Sequence, residues 1–197
     1  MPLPASGRAR PSGTTRDTGA MTLRLAHTAE LEPSELRAVR ALLDAAFDGG
    51  FSDDDWDHGL GGMHVLVRDG AGLAAHGSVV LRRLRHRGRW LRTGYVEAVA
   101  VRADARRTGL GGRVMAELER LTERAYDLGA LSASADGARL YTARGWQRWP
   151  GRVHALSPDG IVRLPDEEGD VYVRPGLAGP LDPAGELVFD WRDGDVT

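Results

Sequence analysis

Apolar residues recur at helical spacing in two long stretches of the chain. In PSELRAVRALLDAAF, residues 33–47, Leu36, Val39, Leu43 and Phe47 share one face; later Leu110, Val114, Leu118, Leu121 and Ala125 do the same. Ser34 is a candidate N-cap for the first of these helices, and Glu35 puts a carboxylate in its first turn, where the helix dipole favours it. The second is expected to end near Gly129. Two shorter helices read from SDDDWDHGL, capped by Ser52 and stopped by Gly61-Gly62, and from DGARLYTAR, residues 136–144, closed by Gly145.

Between these stretches the pattern changes to alternation. TLRLAHT (22–28), MHVLVR (63–68), LAAHGSVVLRRL (73–84) and RWLRTGYVEAVAVR (89–102) read as strands, the last three joined by the turn-forming stretches 69–72 and 85–88 into an antiparallel meander. ALSASA (130–135), VYVR (171–174) and ELVFD (186–190) complete the set. This order of strands and helices predicts an α+β, mixed α/β fold without internal repeats. Residues 1–21 are expected to form a disordered tail, because the first 20 are rich in Pro, Gly, Ser, Thr and Arg and have no periodic apolar set. Residues 22–197 are expected to form one domain, with Met21 a candidate start.

Composition narrows the chemistry. The chain has no Cys, Lys or Asn, so thiol redox chemistry, disulfides, thiolate metal sites and a P-loop, which needs its lysine, are all excluded. No metal site is expected. A net charge of −2 does not favour nucleic acid, and no apolar run approaches the roughly 18 residues of a membrane span. The charges are unevenly spread, however. Arginines crowd between Arg82 and Arg113; acids gather at 53–57, at Asp166-Glu167-Glu168 and in the DWRDGDV block of 190–196. That division suits an anionic ligand on one side and a cationic one on the other.

The anionic side has a motif. VRADARRTGLGGRVMAELERL, residues 101–121, carries Arg106, Gly109 and Gly111 in an Arg-x-x-Gly-x-Gly pattern between a strand and an amphipathic helix. A dinucleotide fingerprint would need a third glycine where Val114 stands. The first N–H groups of a helix lack internal partners and carry roughly half a positive charge, so a pyrophosphate can satisfy several at once. Glycines permit close backbone approach, and Arg106, Arg107 and Arg113 can add charge-assisted bonds at the rim.

Strand, Arg-x-x-Gly-x-Gly and helix together resemble the acetyl-CoA motif of the GNAT acetyltransferase superfamily. FSDDDWDHGLGGMH, GYVEAVAVRADARRTGLG, LGALSASADGARLYTARGW and DWRDGDV, in that order, resemble the aminoglycoside 2′-N-acetyltransferases within it. The resemblance, spanning roughly residues 23–196, implies a central, mostly antiparallel twisted sheet in which the strand before the motif carries a bulge and splays from its neighbour, opening a V-shaped acetyl-CoA cleft. It implies that backbone groups from Val99 through Ala100 to Val101 hold pantetheine, with the Val99 N–H polarising the thioester carbonyl. The pyrophosphate then falls to Arg106, Arg107, Thr108, Gly109, Leu110, Gly111, Gly112 and Arg113.

The same resemblance implies chemical roles. Glu97 stands where the family's base lies, Tyr141 where its general acid lies and Ser132 near the sulfur or the acceptor. Glu97 is expected to share a face with Tyr95 and Val99 by alternation. A strand carboxylate is a weak base in water, so the role calls for burial or a relaying water. His64 and His154 are lesser candidates for the base. Asp55, Glu97, Ala98, Ser132, Glu167, Trp191, Asp195 and Thr197 match the family's acceptor site, and Trp56 is a second aromatic wall. The family often has an acid where this chain has Gly50 and ends in Trp where this chain has Thr197. Both departures lie on the acceptor side, so another amine acceptor, or a module that binds acetyl-CoA or drug without turnover, stands beside the aminoglycoside reading. A cytoplasmic homodimer is expected by family habit.

Overall fold

The computed structural model describes residues 20–197 apart from residue 136; most of the expected N-terminal tail lies outside these residues. Strand β1 (Thr22–His27) leads to helices α1 (Pro33–Ala46) and α2 (Asp53–His58). Next come the meander β2 (Met63–Asp69), β3 (Gly72–His86) and β4 (Arg89–Val101), and the long helix α3 (Leu110–Ala125). Strand β5 (Leu128–Ser132), helix α4 (Ala138–Ala143) and strands β6 (Gln147–Arg148), β7 (Val153–Ser157), β8 (Gly160–Arg163), β9 (Val171–Pro175) and β10 (Leu187–Asp190) complete the chain.

One ten-stranded sheet results, in the order β6-β9-β5-β4-β3-β10-β7-β8. β3 is long enough to serve two neighbours on one edge: residues 72–79 pair with β2, which carries β1 beyond it, and residues 84–86 pair with β10. Pairing is antiparallel except for β4 with β5 and β10 with β7, so the expected α+β, mostly antiparallel architecture is the one observed.

Alternation in β2 divides the two helical layers. Val65 and Val67 pack under Val114, Met115 and Leu118 of α3, whereas Leu66 joins Val39 and Leu43 of α1. A third cluster, formed by Leu84, Leu91, Tyr95, Leu187, Phe189 and Val196, closes the end of the sheet where the C-terminal segment lands.

Two helix ends and three short strands differ notably from the sequence reading, each for a local reason. α1 starts at Pro33, whose fixed φ suits a first helical position, so the cap is Glu32, with its N–H donated to Glu35, rather than Ser34. α3 stops at Ala125 instead of Gly129 because the chain is captured by the sheet: Asp127 N–H bonds the Arg92 carbonyl, and Leu128 and Gly129 pair with β4. A Cβ on Gly129 would stand 2.7 Å from Thr122 of α3, so this glycine serves close helix-to-strand packing. β6, β7 and β8 were not anticipated; they are short and lie among Pro150, Gly151, Pro158 and Gly160, and β8 is exposed throughout.

Candidate active site

The site begins with one extra residue in β4. Ser78 pairs with Glu97 but His76 pairs with Ala100, so two steps along β3 face three along β4. Ala98 takes up the surplus with φ +51°, in the left-handed region that alanine ordinarily avoids.

The bulge also reverses the strand's faces. Tyr95 belongs to the C-terminal core, and Arg192 lies over its ring while bonding Glu97, so these two side chains do share a face. Val99 does not share it: the extra residue turns Val99 and Val101 to the α3 side, where Val99 comes within reach of Gly77, Val114 and Leu118. Simple alternation across residues 95, 97 and 99 is thereby corrected.

Next to the bulge the sheet opens. β4 and β5 pair only from Thr93↔Leu128 to Tyr95↔Ala130, beyond which the two strands separate. The Arg102 N–H bonds the Ala74 carbonyl of β3 at 2.8 Å, so by strand alternation the backbone groups of Val99 and Val101 point to the other, open edge. An extended chain inserted there can pair with the Val99 N–H and carbonyl; the Val101 carbonyl already accepts from Arg106 Nε at 3.3 Å, which ties the edge to the turn that follows. Ser132 ends β5 on the far wall of the opening.

The open edge runs into an anion cradle. Arg107 (φ +62°) and Gly109 (φ +86°) turn the chain so that α3 starts on a left-handed N-cap, with the N–H groups of Leu110, Gly111 and Gly112 in its first turn. The Thr108 hydroxyl donates to the Ala105 carbonyl at 2.6 Å and ties the turn down. Arg106, Arg107 and Arg113 are exposed and pair with no carboxylate among the described residues, unlike Arg102, which is held by Asp69 and Asp104. The cradle thus fits a pyrophosphate, and the open edge fits the amide-bearing arm attached to it. Gly109→Val forces a β-branched residue into the left-handed turn and is expected to raise the KM for acetyl-CoA about tenfold, with kcat little changed, in steady-state assays.

Tyr141 is fixed through α3. Glu119 accepts from Arg144 at 2.7 and 2.5 Å and from Trp146 Nε1 at 2.9 Å, which anchors α4; the Tyr141 ring then packs edge-on to Trp146 and beside Tyr172. Burial pushes its hydroxyl up to about 12, so it keeps its proton throughout the neutral range.

The face of β4 that carries Glu97 is covered by the C-terminal segment folding back. Arg82, 5% exposed, donates to the Asp190 carboxylate at 2.9 Å, the Asp190 carbonyl at 2.7 Å and the Val196 carbonyl at 2.5 Å, and lies over the Tyr95 and Phe189 rings. His58 of α2 meets the Asp193 carbonyl at 2.7 Å, so α2 and the segment form one rim. Inside it Arg192 pairs with Glu97, and the Thr197 hydroxyl donates to Glu167, whose carboxyl is raised above its ordinary value by burial. Trp191 and Asp195 stand exposed at the mouth.

Asp55 is engaged within its own helix. Its carboxylate accepts from the Ser52 N–H and hydroxyl at 2.8 Å each, capping α2, although it also borders a small pocket with Trp56, Ser78 and Ala98. Thr197 is enclosed and spent on Glu167. His64 is 1% exposed and His154 lies on β7, against Glu186, so neither stands as an exposed base in the cleft. Arg192 and Arg82 escaped the sequence reading; the signal for the first was a lone cation inside the acidic DWRDGDV block.

Comparison with known proteins agrees with this geometry. A family model described as an acetyltransferase (GNAT) domain matches residues 27–149. A protein named aminoglycoside 2′-N-acetyltransferase from Mycolicibacterium fortuitum is 47% identical over 178 residues, covering 89% of this chain and 91% of that protein. Among solved structures, a GNAT family N-acetyltransferase from Escherichia coli in complex with CoA is 19% identical, covers 93% of each chain and superposes with a TM-score of 0.60. An acyl-CoA N-acyltransferase from Pseudomonas aeruginosa, 19% identical, covers 79% of this chain and 99% of its own, with a TM-score of 0.55. By its open β4 edge, its glycine turn and the match over most of its length, the chain belongs to the GNAT acetyltransferase family.

Proposed function

We propose that the protein transfers the acetyl group of acetyl-CoA to the 2′-amine of an aminoglycoside antibiotic, and so confers resistance. The observation that carries this reading is the splay of β4 from β5 at the Ala98 bulge, which sets Glu97 and the acidic C-terminal rim beside an edge made for the pantetheine arm. The choice of acceptor is supported by what the Mycolicibacterium fortuitum relative is named for.

Acetyl-CoA supplies an activated acyl group when bound. Arg106, Arg107, Arg113 and the first N–H groups of α3 hold its pyrophosphate; the open edge at Val99 and Val101 holds the arm. The Val99 N–H donates to the thioester carbonyl and favours charge developing on its oxygen. Glu97, directly or through a water, takes a proton from the acceptor ammonium; the free amine then adds to the thioester carbon, and as the C–S bond breaks the Tyr141 hydroxyl protonates the departing sulfur and is itself reprotonated by the proton the new amide nitrogen sheds. No cysteine is present to take the acyl group, and with the family's habit this makes attack by the amine direct. Glu167, Asp195 and Trp191, with Ser132 and the Ala98 backbone, receive the polycation. Arg192 occupies Glu97 with a cation of the protein's own, which the arriving ammonium displaces or shares.

Release of coenzyme A thiol, followed across aminoglycosides with either an amine or a hydroxyl at the 2′ carbon, tests the reading: turnover is expected with the amines only. Acetyl-CoA binding without turnover on any of them would sink it. A different primary amine as acceptor is favoured by Gly50 and by the engaged Thr197, both on the acceptor rim, and the same assay run on other amines decides. Tyr141→Phe keeps the ring packing and removes the proton, so kcat is expected to fall about 30-fold with both KM values nearly unchanged. The working form we infer is a cytoplasmic homodimer; in the described residues no helix is long and apolar enough to cross a membrane.

A further inference from the structure

Behind the β4 bulge runs a chain of hydrogen-bonding groups that none of the steps above uses. Thr28 Oγ1 lies 2.8 Å from His64 Nε2, His64 Nδ1 lies 2.9 Å from His76 Nε2, and His76 Nδ1 lies 3.1 Å from the Ala98 carbonyl oxygen. Both imidazoles are 1% exposed. A carbonyl can only accept, so His76 carries its proton on Nδ1 and leaves Nε2 as an acceptor. His64 must then donate from Nδ1, and its unprotonated Nε2, at 2.8 Å, takes the single Thr28 hydroxyl proton in preference to the Gly62 carbonyl at 3.3 Å. Every bond in the series points the same way, toward Ala98.

Burial holds both rings neutral. His64 is lowered to about 4 by desolvation and by the neighbouring His27, and His76 to about 3 by desolvation and by His64. The series therefore keeps its direction throughout the neutral range, and it is not a path that delivers a proton to the acceptor amine, because its last member is a carbonyl.

What the series can do is act on the peptide it ends on. The Ala98 carbonyl and the Val99 N–H belong to one trans peptide unit and point in opposite directions. A donor on the carbonyl side polarises the unit and strengthens the N–H on the open side; bonds in series reinforce one another by about 10–30% each. The same bond holds Ala98 in its left-handed conformation, and the Ser78 hydroxyl steadies the neighbouring Glu97 carbonyl at 3.4 Å.

We propose that His76, kept in one tautomer by His64, is a positioning residue for acetyl transfer: it fixes the Ala98–Val99 peptide and strengthens the Val99 N–H that faces the thioester carbonyl. This inference rests on the proposed role of Val99.

The test uses acetyl-CoA labelled with carbon-13 at the acetyl carbonyl, isotope-edited infrared difference spectra and steady-state kinetics on the full chain. His76→Phe fills the space without a donor; His76→Asn places an amide nitrogen where Nδ1 stood. Binding to the unaltered protein is expected to move the carbonyl stretch to lower frequency. His76→Phe is expected to reverse part of that shift and to lower kcat about tenfold while the KM for acetyl-CoA stays within about twofold; His76→Asn is expected to restore both shift and kcat. A shift and kcat that persist in folded His76→Phe overturn the role of His76 and leave the Val99 contact standing. An unshifted carbonyl in the unaltered protein overturns the Val99 contact, and this inference with it. Equal losses in the Asn and Phe variants overturn the donor argument. Should His76→Phe not fold, His76→Gln, whose amide falls near Nε2 instead, replaces it with the same expectations.

Discussion

Glu97→Gln is expected to lower kcat about a hundredfold while leaving the KM for acetyl-CoA within about twofold. The reasoning starts from the geometry of the strand. Glu97 and Val99 stand on either side of the bulged Ala98, so the carboxylate meets Arg192 of the C-terminal segment, whereas the Val99 side chain faces α3 and its backbone lies at the open edge proposed for the donor's arm. Glutamine keeps the shape and one oxygen that can still accept from Arg192, so the C-terminal segment stays anchored through Arg82 and only the capacity to take a proton is lost. The KM for a cationic acceptor is expected to rise with the lost charge. Glu97→Asp, which keeps the charge and shortens the reach, is expected to fall between. Should Glu97→Gln turn over at the unaltered rate, the base is elsewhere and the carboxylate is only an anchor for cations.

Acid is expected to unfold the protein in two steps of different origin. His64 and His76 bind protons readily in the unfolded chain, near pH 6.5, but only at about pH 4 and about pH 3 in the fold. Between those limits the unfolded state holds more protons, so stability rises with pH there; it is fully present above the unfolded value and is lost as the pH falls. The shift at His64 alone corresponds to roughly 3 kcal/mol by the lower end of that window. Below about pH 4 a second loss begins, from carboxyls held low by their partners: Glu168 by Arg163, Asp69 and Asp104 by Arg102, and Asp127 by the Arg92 backbone and guanidinium. Melting temperature measured from pH 8 to pH 3 should therefore begin to fall near pH 6.5, before any carboxyl with an ordinary value titrates. The double replacement His64→Gln with His76→Asn removes both groups and should flatten the curve between pH 6.5 and 4. A melting temperature that is level across that range in the unaltered protein would mean that the pair is not held neutral.

The elements that the sequence revealed are those whose signal is local. Amphipathic α1 and α3, the alternating β2 and the glycine turn ahead of α3 depend on neighbours three, four or two residues away, and each is found close to where its pattern placed it. What escaped depends on distant partners. The resemblance implies a bulge in this strand, but its place at Ala98 leaves no mark in GYVEAVAV, because the carbonyl of this left-handed alanine is met by His76 on another strand. Without it the face carrying Val99 is assigned wrongly. Arg192 and Arg82 read as ordinary cations until the return of the C-terminal segment, more than a hundred residues from Arg82 in sequence, sets one on Glu97 and the other beneath Tyr95. The acceptor rim was legible as a set of acids, but which of them are already engaged, as Asp55 is by Ser52, is a matter of packing.

The reversal of faces within β4 separates two kinds of evolutionary change. On the proposed assignment the groups that would hold the donor belong to the α3 side and the open edge of β4, whereas Glu97 and the C-terminal segment it meets through Arg192, proposed for the acceptor, lie on the other face of the same strand. Substitutions in the second group can redraw the range of amines accepted without disturbing the first, and Gly50 and Thr197 both fall in that group's surroundings. A single inserted residue thus lets one half of the site stay constant under selection for cofactor use while the other half drifts with the chemistry of whatever amines the host encounters.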